Sequence, residues 1–134
     1  MQRMGFRRRR RTQAESGQAL VEAAIALPVV LIIVFAVINF AIVWNHWESL
    51  TDAVRAGARV AATCRFVPGG TAAATTAYEA AAVDLPGHPP PDIGACGNPG
   101  TTITVTGTVP YSIDVMGLVV KSGDLTSATT ETVE

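Results

Sequence analysis

The sequence has little of what catalysis or metal binding requires. Its two histidines, His46 and His88, lie far apart, and neither accompanies a cluster of acids or cysteines with the spacing of metal ligands. There is no G-x-S-x-G, phosphate-loop or H-E-x-x-H motif. The 134 residues suffice for one ordinary domain and exclude most large catalytic folds. We therefore expect a protein that is not an enzyme and holds no metal or cofactor.

Charge is also scarce, and it is separated along the chain. Charged residues make up 16% of the sequence, with a formal net charge of −1. Residues 1–17 contain six arginines and one acid, whereas residues 45–134 contain four bases and nine acids. The arginine run could bind nucleic acid, but directly before an apolar stretch it more simply sets membrane topology or contacts anionic lipid. We expect no nucleic-acid partner.

Residues 23–43 contain no charged side chain. As a helix they would reach about 31 Å, close to the thickness of a bilayer's hydrocarbon core, and they show no polar face at helical spacing. Because arginines precede the run and acids dominate after it, we expect the N-terminus in the cytoplasm and the C-terminal part outside. Trp44 and Trp47 suit the outer interface. The sequence predicts a single-pass protein of the inner (cytoplasmic) membrane.

A cleaved secretory signal would remove this span from the mature protein. The apolar region of such a signal usually covers about 7–15 residues and ends in small residues at the cleavage site. Here the run is longer and is followed by Trp44 and Trp47, and no A-x-A pattern lies at the right distance. We therefore expect the span to be retained. Asn39, the one polar residue deep in it, could hydrogen-bond another helix.

One acid, Glu22, lies immediately before the apolar run. An unpaired charge costs about 2.5–3.5 kcal/mol at the bilayer centre and less near its surface. A helix N-terminus stabilises an acid by about 0.3–1 kcal/mol, which could account for Glu22 by itself. Its neighbourhood favours a functional role, because a basic leader ends in Gly17 and four residues separate Gly17 from Glu22.

This arrangement resembles the prepilin peptidase substrates of the type IV pilus superfamily, in which cleavage follows a glycine and the fifth mature residue is an acid. The resemblance implies cleavage between Gly17 and Gln18 by a prepilin peptidase, with Glu22 as the fifth mature residue. A glycine lets a protease approach the backbone closely. Glu22 could then neutralise the new amine of Gln18 in the same or a neighbouring subunit, and so set a register for stacking helices.

The resemblance narrows to the TadE-like proteins of tight-adherence (Tad, or Flp) pili. Residues 17–44, GQALVEAAIALPVVLIIVFAVINFAIVW, look like that family's leader junction and helix, and residues 49–62 look like its short Ala/Arg helix. The tail around VTGTVPYSI and the closing SATTETVE are also similar. Ala23 follows the acid where major Flp pilins usually have Tyr, and the exterior part is longer.

The resemblance implies a minor pseudopilin that takes part in the assembly or initiation of a Tad pilus. The implied partners are the prepilin peptidase, other pseudopilins, the Flp pilin and the lipid bilayer, and the protein could be incorporated in a surface pilus that serves cell adhesion. One alternative stays open, namely an uncleaved single-pass membrane anchor with an exterior binding or scaffold domain.

The expected fold class is α+β, with a long membrane helix that continues into a short amphipathic helix and a small exterior domain of one short helix and two or three strands. We expect a basic leader over 1–17, a transmembrane helix over 18–47 and an extracytoplasmic domain over 48–134. Periodicity predicts a helix over 48–63, which continues the membrane helix or breaks slightly near residues 45 and 46, and a second helix over 71–83. Turn residues predict a loop over 85–100. The rest of the chain is expected to form a strand over 101–109, a short apolar run over 118–120 and a strand over 125–133.

Two cysteines, Cys64 and Cys96, both fall on the expected exterior side of the membrane. Oxidising conditions there permit a disulfide, which would join the end of the first exterior helix to the loop before the strand. Two unpaired thiols are the alternative that the sequence leaves open.

Overall fold

A computed structural model describes the backbone of residues 8–115 and 117–134, with side chains from Gly17 onward. The first seven residues of the expected leader lie outside the described residues. The chain forms two helices, α1 (Arg8–Ala62) and α2 (Thr71–Ala81), and three strands, β1 (Asp92–Ile93), β2 (Thr102–Val115) and β3 (Leu118–Thr132). The predicted α+β class is confirmed.

Helix α1 runs without interruption through the apolar stretch and on through residues 44–62. It passes Pro28 and continues through residues 45 and 46, so the predicted continuation of the membrane helix is confirmed. Its part Gly17–Ala62 is long and apolar enough to cross a membrane, with a mean hydropathy of 2.9 in the most apolar window. Every side chain from 17 to 38 is exposed. Exposed aliphatic side chains are what lipid covers in a membrane helix.

The chain divides into two compact units, and the boundary falls inside α1, after Ile38. The first unit consists of helix in its described part. The second unit begins at Asn39 and holds the rest of α1, α2 and the sheet. Contacts within this second unit build the only core that the described chain contains.

The sheet is antiparallel, with the strand order β1-β2-β3. Strands β2 and β3 form one long hairpin, in register from Thr102 opposite Thr132 to Val115 opposite Leu118, with an irregularity between residues 113 and 114. Strand β1 pairs with β2 only at Asp92 and Ile93, opposite residues 106 and 105. The short strand lies inside the segment expected as a loop, so the prediction of a structureless 85–100 was wrong at these two positions.

Both long strands extend further than the sequence predicts. Strand β2 continues through Pro110 to Val115, and β3 already starts at Leu118. Pro110 has no N–H to donate, and prolines are therefore confined to strand edges or irregularities. In the described chain β2 has no strand partner beside Pro110 on the β1 side, because β1 pairs only with residues 105 and 106. That free edge tolerates the proline, and the strand does not end there.

The core lies where α1, α2 and the inner face of β2 meet. Alternate residues of β2 from Ile103 to Val109 are buried. Two glycines, Gly57 and Gly107, allow the close packing. A Cβ on Gly57 would lie 3.3 Å from the Ala74 carbonyl oxygen. The buried apolar residues are Leu50, Ala53, Val54, Ala58, Ala61, Cys64, Ala74, Tyr78, Ala82, Leu85, Ile103, Val105, Val109 and Val133.

The far end of this core is closed by a disulfide and by the end of the chain. Cys64 and Cys96 are bonded to each other, with their Cα atoms 6.1 Å apart. Beside the bridge, Arg65 donates to the Asn98 side-chain oxygen at 3.3 Å. The Glu134 amide donates to the Ala62 carbonyl at 3.0 Å, so β3 is tied to the last residue of α1.

The packing at Gly107 predicts the effect of a single added methyl group. In Gly107→Ala the new Cβ would lie 2.8 Å from a methyl carbon of Val54 and 2.9 Å from atoms of Leu50 and Tyr78. Overpacking of this kind lowers the free energy of unfolding by about 1–3 kcal/mol. Urea unfolding of the detergent-solubilised chain, followed by near-UV circular dichroism, measures the change.

The matched control is Thr126→Ala, which changes an exposed residue of the same hairpin. We expect it to alter the free energy of unfolding by less than about 0.5 kcal/mol. Equal stability of the two variants would contradict the tight packing of Gly107.

The disulfide predicts a second change in stability. The bridge closes a loop with a sequence separation of 32, and in the chain-entropy model it contributes roughly 3–4 kcal/mol. The double variant Cys64→Ser/Cys96→Ser should lose that amount in urea unfolding. A reductant should lower the stability of the parent protein and leave the double variant unchanged. If reduction leaves the parent equally stable, the two cysteines are free thiols.

Candidate functional site

The residues of the expected leader junction all lie on the exposed surface of α1. Gly17, Gln18 and Glu22 are helical and exposed, and an added Cβ at Gly17 would meet nothing within 4 Å. Glycine costs a helix about 1 kcal/mol relative to alanine. The helix is therefore easier to open at Gly17 than at its neighbours, which suits a peptidase that must straighten the backbone to cut it.

Gln18 and Glu22 are four residues apart on this helix, so their side chains lie on the same face. Among the side chains that the structure describes, the one ion pair joins Arg55 to Asp52 at 3.5 Å, as their spacing predicts. Glu22 takes no part in it. The roles expected for Gly17, Gln18 and Glu22 remain predictions, because they depend on a peptidase and on the cleaved chain.

An aromatic group follows the end of the apolar run. The ring centroids of Phe40 and Trp44 are 6.1 Å apart, and those of Trp44 and Trp47 are 5.4 Å apart. Both indoles are more than a third exposed, and the Trp44 Nε1–H donates to a carboxylate oxygen of Glu48 at 2.9 Å. A half-exposed indole with a polar partner is typical of the membrane–water interface.

Asn39 has a partner that the sequence did not indicate. Its side-chain amide donates to the backbone carbonyl of Asp114 at 2.9 Å. A hydrogen bond from Asn39 to another helix stays a prediction. Strand β2 reaches Asn39 because the β2–β3 hairpin extends about six residues beyond the predicted end of the strand at 109.

A cavity of about 440 Å³ lies between α1 and the hairpin, one turn beyond Asn39 along the helix. Ile42, Val43 and His46 of α1 form one side, and Tyr111 lies on the other with its neighbours in β2 and with Pro86. The lining is mostly apolar, and His46 is there without acids or cysteines. Among the described residues no group of three His, Cys, Asp or Glu side chains could hold a metal ion.

The second histidine is part of the packing around α2. The rings of His88 and Tyr78 meet edge to face, with centroids 5.9 Å apart. Tyr78 is completely buried, and this burial raises the pKa of its hydroxyl above the ordinary value. This contact joins residues that are distant in sequence, and neither the histidine nor the tyrosine stands in a local pattern that would have revealed it.

The comparison with protein families bears on the first part of the chain. The model of the family described as TadE-like protein matches residues 17–59. No curated protein and no solved structure matches the chain. The match begins at Gly17, covers the whole apolar run and ends within α1, before α2 and the sheet. Residues 17–59 are thus a TadE-like segment, and the resemblance predicted from the sequence is confirmed there.

Proposed function

We propose that this protein is a minor pseudopilin of a Tad pilus. Residues 18–47 anchor it in the cytoplasmic membrane, a prepilin peptidase removes residues 1–17, and the mature chain takes part in assembling or initiating the pilus. The observation that carries the proposal is the start of the TadE-like match, which is Gly17, the residue expected as the last of the leader.

The orientation follows from charge. The arginines of the leader stay in the cytoplasm, and the acidic part from residue 48 onward forms an extracytoplasmic domain. The junction after Gly17 then lies at the cytoplasmic end of the span, and its exposure on α1 supports access by a peptidase. The peptidase supplies the chemistry, and this chain is the substrate and afterwards a subunit.

Cleavage would change the surroundings of Glu22. Gln18 would carry a free amine, and Glu22 lies one helical turn from it on the same face of α1. At the edge of the hydrocarbon an ammonium and a carboxylate attract each other strongly, so the paired charges are more stable there than two unpaired charges. The same amine could come from a neighbouring pseudopilin or from the Flp pilin, in which case the pair fixes the axial register between two helices.

The first prediction of this proposal concerns the mature N-terminus. Mass spectrometry of the protein from its native membrane should find Gln18 as the first residue. In Gly17→Val the leader should remain, because a branched Cβ blocks the approach of the peptidase. The fold should be unaffected, since an added Cβ at Gly17 touches nothing within 4 Å.

The control for this experiment is Ser16→Ala, which should be cleaved like the parent chain. An intact leader in cells with an active prepilin peptidase would refute the processing claim. It would instead support the alternative of an uncleaved anchor with an exterior binding or scaffold domain.

The second prediction separates cleavage from assembly. Glu22→Gln keeps the shape of the side chain and removes its charge, so processing after Gly17 should continue. Incorporation into the pilus machinery should fall by about tenfold or more, because a hydrogen bond to a charged group contributes about 1.5–3 kcal/mol. Quantitative immunoblots of membrane and sheared pilus fractions measure both effects.

Glu79→Gln provides a matched control, because it removes one charge from an exposed position on α2. It should leave both cleavage and incorporation at the parental level. Normal incorporation of Glu22→Gln would remove the proposed role of Glu22 without affecting the processing claim.

A further inference from the structure

We propose that Leu118, Val119 and Val120, at the tip of the β2–β3 hairpin, insert into the outer leaflet of the membrane that α1 crosses. The proposal rests on α1 as a membrane helix, as in the proposed function, but not on cleavage or on a pilus. All contacts that support it lie within the second compact unit, residues 39–134.

The hairpin lies along α1 in the opposite direction. A Cβ on Gly57 would be 3.6 Å from Val105, and 18 residues earlier in the helix Asn39 bonds to Asp114. Eighteen helical steps cover about 27 Å, and the nine strand steps from Val105 to Asp114 cover about 30 Å. The agreement of these two lengths means that β2 runs alongside the helix from Gly57 to Asn39.

The lower contact lies inside the apolar run. Asn39 comes four residues before Val43, the last residue of that run, which places it about 6 Å inside the apolar segment along the helix. Trp44 and Trp47 come directly after the run and mark the expected interface. In the hairpin register Val119 lies opposite Asp114 and Leu118 opposite Val115, so these two residues lie close to the level of Asn39. Elements that lie in a membrane interface bury their apolar face by about 5–10 Å, which agrees with this depth.

The tip has the composition that lipid contact requires. No residue from 115 to 120 is charged, and the consecutive residues Leu118, Val119 and Val120 are 74%, 64% and 67% exposed. Successive side chains of a strand point to opposite faces, and Leu118 and Val119 are both regularly paired with β2, so each face of the tip carries an exposed apolar side chain. A docking groove on a partner protein would cover one face, whereas lipid surrounds the tip and covers both.

The polar groups at the tip are also compatible with a shallow insertion. The ladder of β2 and β3 continues to Val115 and Leu118, so the backbone groups between the strands are paired. The Asp114 carbonyl is bonded to Asn39, and its carboxylate accepts from the Ser112 hydroxyl at 3.4 Å. Lys121 follows the apolar residues and is exposed, so its ammonium can reach the lipid headgroups.

The test uses the full chain in vesicles of phosphatidylcholine and phosphatidylglycerol, at a protein-to-lipid ratio low enough to keep copies apart. The native cysteines are bonded to each other, so a single added cysteine can be labelled with an environment-sensitive fluorophore. The positions are Val119→Cys at the tip, Thr126→Cys higher on the exposed part of β3, and Ile32→Cys in the apolar run. Quenching is measured with nitroxide-labelled lipid and with aqueous iodide.

The label at 119 should be quenched several-fold more by nitroxide lipid than the label at 126, and several-fold less by iodide. Equal iodide quenching at 119 and 126 would place the tip in water and overturn the proposal. Protection from iodide at 119 without lipid quenching would mean that protein covers the tip, which also overturns it. A label at 32 that lipid does not quench would refute the membrane helix itself. Failure at 119 alone leaves the proposed function intact.

Discussion

The close approach of β2 to α1 is the contact on which the second compact unit, residues 39–134, depends. At its centre Gly107 has no side chain, so the faces of Leu50, Val54 and Tyr78 meet the strand backbone directly. Gly57 has the same effect from the helix side, where it lets α2 come close to α1. Side chains at these two positions would hold the hairpin and α2 away from the helix, and the small apolar core would be packed less closely.

The same contact determines how far the hairpin extends along the helix. Because β2 starts beside the end of α1 and runs antiparallel to it, every residue added to the hairpin lies further toward the apolar run. The bond between Asn39 and Asp114 is one of these contacts. Within the second compact unit the long strands thus hold the sheet along α1, and no linker separates the two.

The sequence predicted the elements whose signals are local. The uncharged run and the residues that alternate from Ile103 to Val109 each depend on near neighbours, and the helix and the strand that they predict are confirmed. The extent of the strands was underestimated, because Pro110 interrupts the alternation and nothing in the local sequence shows that this edge of β2 is free. The two residues of β1 form a strand only because β2 passes beside them.

For the candidate site, too, the sequence indicated the residues that stand in a local pattern and missed the contacts between residues far apart in sequence. Gly17 and Glu22 were found from their spacing before an apolar run, and the TadE-like match covers both. The partner of Asn39 could not be found, since 75 residues separate it from Asp114. The apolar residues 118–120 were recognised as a short run, but their position at the end of a long hairpin depends on the register of both strands.

The disulfide also determines how the second compact unit would respond to tension along the chain. Residues 64–96 form a covalent ring that contains α2 and β1, whereas the β2–β3 hairpin lies outside it. A load that enters through α1 and leaves through the hairpin passes directly between the two sulfur atoms. The ring therefore withholds about 110 Å of potential extension from the loaded chain. The hairpin can peel away without the disulfide opposing it, because both of its strands lie outside the ring and are held by packing and hydrogen bonds.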